Sequence, residues 1–221
     1  MFVSEPPEES KDILMKLTES FALAYQRFID IQEAEQRRKE AELEASIERV
    51  RAHAMGMQEP DDIMNVLNVI KEELDKFKLE NIGTWFWIFN QDNTLTQWDI
   101  SETGLGGSLN NINITVDIET SIASTLHEPK WHTEKYYNIP WRGKHLQRLI
   151  DEIKKLDPEG GQVFQELVDT GEITTYWQAC APFSRGILGL DFAFEPPADV
   201  EPILKKMSGG LDLTYHRFDD L

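Results

Sequence analysis

FVSEPPEESKDILMKLTESFALAYQRFIDI, residues 2–31, returns 190 positions later as FAFEPPADVEPILKKMSGGLDLTYHRFDDL, residues 192–221. The two stretches share 12 of 30 residues without a gap, including Phe-x-x-Glu-Pro-Pro, Ile-Leu-x-Lys and Tyr-x-Arg-Phe-x-Asp. An internal repeat marks a modular architecture. Everything between the copies occurs once, so the economical organisation is one whole repeat preceded by the tail of another, and the chain reads as a piece of a tandem array. Residues 1–31 are then the helical tail of a preceding repeat, residues 32–57 a linking helix, and residues 58–221 a folded domain. The tail at residues 1–8 is expected to be loose, because Phe2 and Val3 would end a strand whose sheet is missing.

The first copy continues into a helix. Glu8 and Glu9 follow Pro6-Pro7 where a helix N-terminus favours negative charge, and no Pro or Gly appears until Gly56. That allows an unbroken helix of about 47 residues, near 70 Å long. Ile13, Leu17, Phe21, Ala24, Phe28 and Ile31 form one apolar stripe, and Leu43, Ile47, Val50, Ala54 and Met57 form a second. Between them the seam holds Glu35, Arg38 and Glu42, so the register shifts. Pairs such as Glu33 with Arg37 add only about 0.2–0.5 kcal/mol each. A partner helix is therefore expected, and a parallel homodimer through Leu43, Ile47, Val50, Ala54 and Met57 is the reading, against a surface helix packed on its own domain.

Pro60-Asp61-Asp62 restarts the chain as a second helix, with Ile63, Val66, Leu67, Ile70, Leu74 and Phe77 on one face. Residues 81–89 and 94–101 read as a hairpin about Gln91-Asp92-Asn93, and a strand with Ile112, Ile114, Val116 and Ile118 on one face follows the glycines 104, 106 and 107. No period is convincing from Thr120 to Pro140. Helices at about 142–156 and 162–170, strands at 173–182 and 186–194, and a closing helix after Pro196-Pro197 complete an α+β pattern with an antiparallel sheet of five strands.

The formal charge of −18, from 40 acidic and 22 basic residues, repels phosphate backbones, so nucleic acid is not an expected partner. No apolar run approaches the roughly 18 residues that cross a bilayer. One cysteine, Cys180, permits no internal disulfide, and a cytoplasmic location is expected.

The run from Tyr25-Gln-Arg-Phe-Ile-Asp-Ile-Gln-Glu-Ala-Glu through Arg38-Lys-Glu-Ala-Glu-Leu-Glu-Ala-Ser-Ile-Glu-Arg-Val-Arg-Ala-His-Ala-Met-Gly-Met57 resembles the signalling helix between sensory domains of bacterial multi-domain signalling proteins, sensor histidine kinases among them. Ala181-Pro-Phe-Ser-Arg-Gly-Ile-Leu-Gly-Leu190 with Phe194-Glu-Pro-Pro197 is similar to the last hairpin of their GAF-like domains. The resemblance implies a central antiparallel sheet with the first and last helices on one face and a ligand pocket on the other. It also implies neighbouring domains in a parent chain, with a kinase or cyclase output outside these residues.

Catalytic patterns are not found. His127 and His132 stand five apart with Pro129 between, whereas a zinc-protease helix needs histidines four apart on one face. No metal site or cofactor is therefore expected. Gly104-Leu-Gly-Gly-Ser108 lacks both the dinucleotide spacing and a following Lys-Ser/Thr, and reads as a hairpin loop. Cys180 between Ala179 and Ala181 has no neighbouring base and reads as core. What remains is an aromatic cluster, Trp131, Tyr136, Tyr137 and Trp141, with Arg142, His145 and Trp177 as neighbours. Rings with a few polar handles suit a small-molecule pocket, and equally a ligand-free cap over the sheet. The expectation is a non-enzymatic sensory or relay module with an unidentified small-molecule ligand; a ligand-free dimerisation spacer is the alternative.

Overall fold

The computed structural model describes residues 7–56, 63–90, 92–100, 110–117 and 121–218. Met57, the restart at 58–62, the glycine loop at 104–108, Ile118 and the tail before residue 7 lie outside them. The described residues form α1 (Glu8–Met55), α2 (Ile63–Asp75), β1 (Gly83–Phe89), β2 (Thr94–Ile100), β3 (Asn110–Asp117), α3 (Ile122–Trp131), β4 (Tyr137–Trp141), α4 (Gly143–Leu156), α5 (Pro158–Asp169), β5 (Tyr176–Phe183), β6 (Gly186–Phe192) and α6 (Val200–Phe218). Two compact units, Met1–Ala45 and Ser46–Leu221, divide within α1.

From Glu8 onward the first unit is helix. Glu8 and Glu9 occupy its first turn, and pairs one turn apart line its surface: Lys11 on Glu8 at 3.1 Å, Gln26 on Asp30 at 2.9 Å and Arg38 on Glu42 at 2.9 Å. Its apolar stripe, Ile13, Leu17, Phe21, Phe28 and Ile31, is exposed to solvent.

The second unit is built on a six-stranded sheet in the order β3-β2-β1-β6-β5-β4, with every neighbour antiparallel. The β1–β2 turn closes on Asn93, at a φ of 64°, and on the Thr94 N–H donating to Asp92 Oδ1 at 3.2 Å. The sheet has one strand more than the sequence suggests. The extra strand, β4, carries Pro140, which has no N–H to give a ladder and is tolerated because β4 is an edge. Helix α3 is the second element without a sequence signal; it contains Pro129, and this proline sits in its last turn, where the chain is about to leave the helix.

Alternation sorts the strand residues onto two faces. On one, Trp85, Trp87, Phe89, Ile187, Tyr176, Cys180, Tyr137, Ile139 and Trp141 pack in a single core with Ile122 of α3, Leu146, Leu149 and Ile150 of α4, and Phe164 of α5. On the other, α6 lies along β5 and β6, and α2 reaches β2. The last turns of α1 contact both of these helices. Ser46 and Arg49 hydrogen-bond to Glu73 of α2, and a Cβ placed on Gly210 of α6 would lie 3.3 Å from Ile47 Cγ2. Close helix approach thus accounts for Gly210, whereas nothing lies within 4 Å of a Cβ at Gly209.

Candidate functional site

Six strand residues and one helix residue meet beneath α3. Cys180 pairs with Gly189 and Tyr137, while Gln178 pairs with Asp191 and Ile139, so alternation brings Tyr137, Gln178, Cys180 and Asp191 to one face. Trp85 pairs with Gly189 on the same face, and a Cβ on Gly189 would lie 2.1 Å from the Trp85 ring. Only glycine lets the indole lie across β6 and donate its Nε1–H to Asp191 Oδ1, at 2.7 Å. Helix α3 adds His127, fully buried edge-on to Trp85 and Trp87.

The donors and acceptors fix the direction of this network. An indole N–H can only donate, so the Trp141 Nε1–H, 2.8 Å from Gln178 Oε1, sets the orientation of the Gln178 amide. With Oε1 as acceptor, His127 Nε2, at 3.1 Å, carries the proton, and Nδ1 is left to accept from the Tyr137 hydroxyl at 3.0 Å. The Gln178 Nε2–H donates onward to Asp191 Oδ1 at 3.3 Å. Tyr137, His127, Gln178 and Asp191 thus form one directed chain, with two tryptophans as side donors.

Burial keeps His127, Tyr137 and Cys180 neutral. It lowers the His127 imidazole to about 3 despite the bond to Gln178, so the ring is uncharged near neutral pH. Cys180 Sγ lies 3.7 Å from His127 Nδ1, but burial and then Asp191 push the thiol well above its ordinary range. A reactive cysteine needs the reverse, a thiolate beside imidazolium. Burial likewise raises the Tyr137 hydroxyl. The chemistry available is orientation by hydrogen bonds, in a closed and well-partnered core.

The seven residues singled out from the sequence divide by face. Tyr137 and Trp141 belong to the buried chain. Trp131 is beside it, stacked on Phe89 with ring centres 3.9 Å apart and donating Nε1–H to the Phe183 carbonyl at 3.0 Å. Trp177 alternates to the opposite face, where the exposed Arg142 guanidinium lies 5.4 Å from its ring centre. Tyr136 shares that side with Asn138 and is half-buried, which pushes its hydroxyl up to about 12. His145 is exposed on the first turn of α4. Gln178, Asp191 and Trp85 are not among the seven, and His127, weighed as a metal ligand, is the centre of the chain. A signal was present: Gln178 and Asp191 are polar residues at inward positions of two apolar strands.

Four of the five positions proposed for helix pairing are buried within one chain, and the fifth, Met57, lies outside the described residues. Leu43 is buried, and in the second unit Ile47, Val50 and Ala54 are buried, with Ile47 against Gly210 of α6. The spacing of 3 and 4 that suggests a partner helix is used on the protein's own core. Arg49 and Ser46 reinforce this with bonds of 2.7 Å each to Glu73, and Lys76 is a third partner. Hydrogen bonding from Arg49, then from Lys76 and Ser46, holds the Glu73 carboxyl at about 2 against the desolvation that opposes it. No group of three or more His, Cys, Asp or Glu among the described residues is placed to hold a metal, and no described helix is long and apolar enough to cross a membrane.

No protein-family model matches this chain, and a search of curated proteins finds no match.

Proposed function

We propose that the chain is a sensory or relay module of a bacterial signal-transduction protein, a GAF-like domain whose state is passed through α1 to an output outside these residues. The observation that carries the reading is the joint at the end of α1. Ile47, Val50 and Ala54 are core residues of the domain, and Ser46 and Arg49 are tied to Glu73. A helix that ends inside a core shifts when the core repacks, because packed layers move between discrete arrangements. A homodimer is compatible with this reading, but it cannot use Ile47, Val50 and Ala54 without unpacking them.

The joint is tested by a double-mutant cycle with Ile47→Ala and Leu204→Ala. If α1 and the α6 layer respond as a unit, the two unfolding free energies differ from additivity by about 0.5–3 kcal/mol; additivity within about 0.5 kcal/mol removes the relay.

The second reading, a ligand-free spacer, is favoured by the closed core, in which His127, Trp85 and Trp141 are buried and hydrogen-bonded to protein partners. A thermal-shift and native mass-spectrometry screen with metabolites separates the two. A stabilising small molecule whose effect is lost in His127→Phe supports the sensor, and its absence across the screen supports the spacer.

A further inference from the structure

The apolar stripe of the first unit is open to solvent, with Ile13 at 59%, Leu14 at 59%, Leu17 at 61% and Phe21 at 72% exposure. The internal repeat supplies its structural counterpart. With the offset of 190, these residues correspond to Ile203, Leu204, Met207 and Leu211 of α6, which are 7%, 0%, 0% and 1% exposed. That face of α6 covers β5 and β6, where Ala179, Ala181, Leu188 and Leu190 are buried.

We propose that Ile13, Leu14, Leu17 and Phe21 are a docking face for the antiparallel sheet of a second domain of this design, seated as α6 is seated on β5 and β6. The occupant's contact surface is apolar and built of small and branched side chains on two adjacent strands. The sheet of this chain is already covered by α6, so a different domain is required.

A helix pair is the competing occupant, and the shape of the stripe disfavours it. Leu14, Leu17, Phe21, Ala24, Phe28 and Ile31 follow a 3-4 seam, but the seam runs at once into Glu35, Arg38 and Glu42. Ile13 lies outside that seam and widens the face, which suits packing on a sheet rather than a narrow two-helix contact. Its counterpart Ile203 is buried. The residue between the anchors also agrees, since Met15 is exposed in the first copy and its counterpart Lys205 is exposed in the second. The inference does not depend on the relay reading.

The test is a graft in the full chain, with residues 10–28 replacing residues 200–218. Gly209, Gly210 and Asp212 are retained, because Gly210 packs against Ile47 and Asp212 accepts from the Ser184 backbone N–H. The expected result is a monomer with a cooperative unfolding transition within about 10 °C of the parent. Leu14→Asp with Leu17→Asp inside the grafted segment should abolish that transition. A graft with no cooperative transition overturns the proposal. It is equally overturned if the parent chain is dimeric at micromolar concentration and Leu14→Asp with Leu17→Asp, at their original exposed positions, makes it monomeric, since the occupant is then a second helix.

Discussion

Residues 10–28 and 200–218 are two versions of one helix in opposite surroundings. Both carry Ile-Leu-x-Lys followed by apolar residues at spacings of 3 and 4, and both are helical. In the second the apolar face is core; in the first it faces water. The pattern therefore specifies a helix and the face it prefers to bury, but not what buries it. The same lesson holds within α1, where an early stripe and a late stripe of similar spacing are exposed and buried respectively.

The widest gap between the copies is expected at one pair of identical residues. Leu204→Ala should destabilise the domain by about 2–5 kcal/mol in denaturant unfolding, as deletion of a fully buried leucine does. Leu14→Ala should stay within about 0.5 kcal/mol, the range for surface substitutions. Equal effects would erase the distinction.

A second contrast concerns acid. His127 is held at about 3, below its ordinary 6.5, so as pH falls below 6.5 the unfolded chain takes up a proton that the native chain refuses. Stability should decline between pH 6.5 and about 3 by up to about 1.4 kcal/mol per pH unit, and His127→Phe should flatten that limb. Glu73 acts lower down. Its carboxyl is held at about 2, below the ordinary 4.5, so its stabilisation is complete above 4.5 and is lost as pH falls toward 2. Glu73→Gln should cost about 1–3 kcal/mol at neutral pH and remove this lower limb, as read by thermal melts across pH. Neither change should alter the helicity of residues 10–28.

The smallest effects come from the glycines that replace Glu19 and Ser20 of the first copy. Gly209→Ala meets open space and should stabilise α6 by about 0.5–1 kcal/mol through helix propensity. Gly210→Ala should gain less or lose stability, because its Cβ would stand 3.3 Å from Ile47.

Much of the architecture was legible. The helix from Glu8, the β1–β2 and β5–β6 hairpins and the closing helix all follow from periodicity and turn residues. What escaped was set by position in the sheet rather than by local sequence. Pro140 hides a strand until β4 is known to be an edge, and Pro129 hides a helix that ends two residues later. The candidate site was half legible for the same reason. Aromatic content drew attention to Tyr137 and Trp141, but the partner of both, Gln178–His127, depends on a strand register and on a helix without a sequence signal. The late stripe of α1 shows the limit most clearly, since Ile47, Val50 and Ala54 satisfy a partner helix and an internal core equally well.

Residue-resolved amide hydrogen exchange on the full chain tests the central contrast most directly. Residues 46–55 and 200–211 should exchange together and slowly, near the rate of global opening, while residues 10–28 exchange at least about 1,000-fold faster. Protection of 10–28 equal to that of 200–211, or exchange of 46–55 as fast as that of 10–28, would contradict the account.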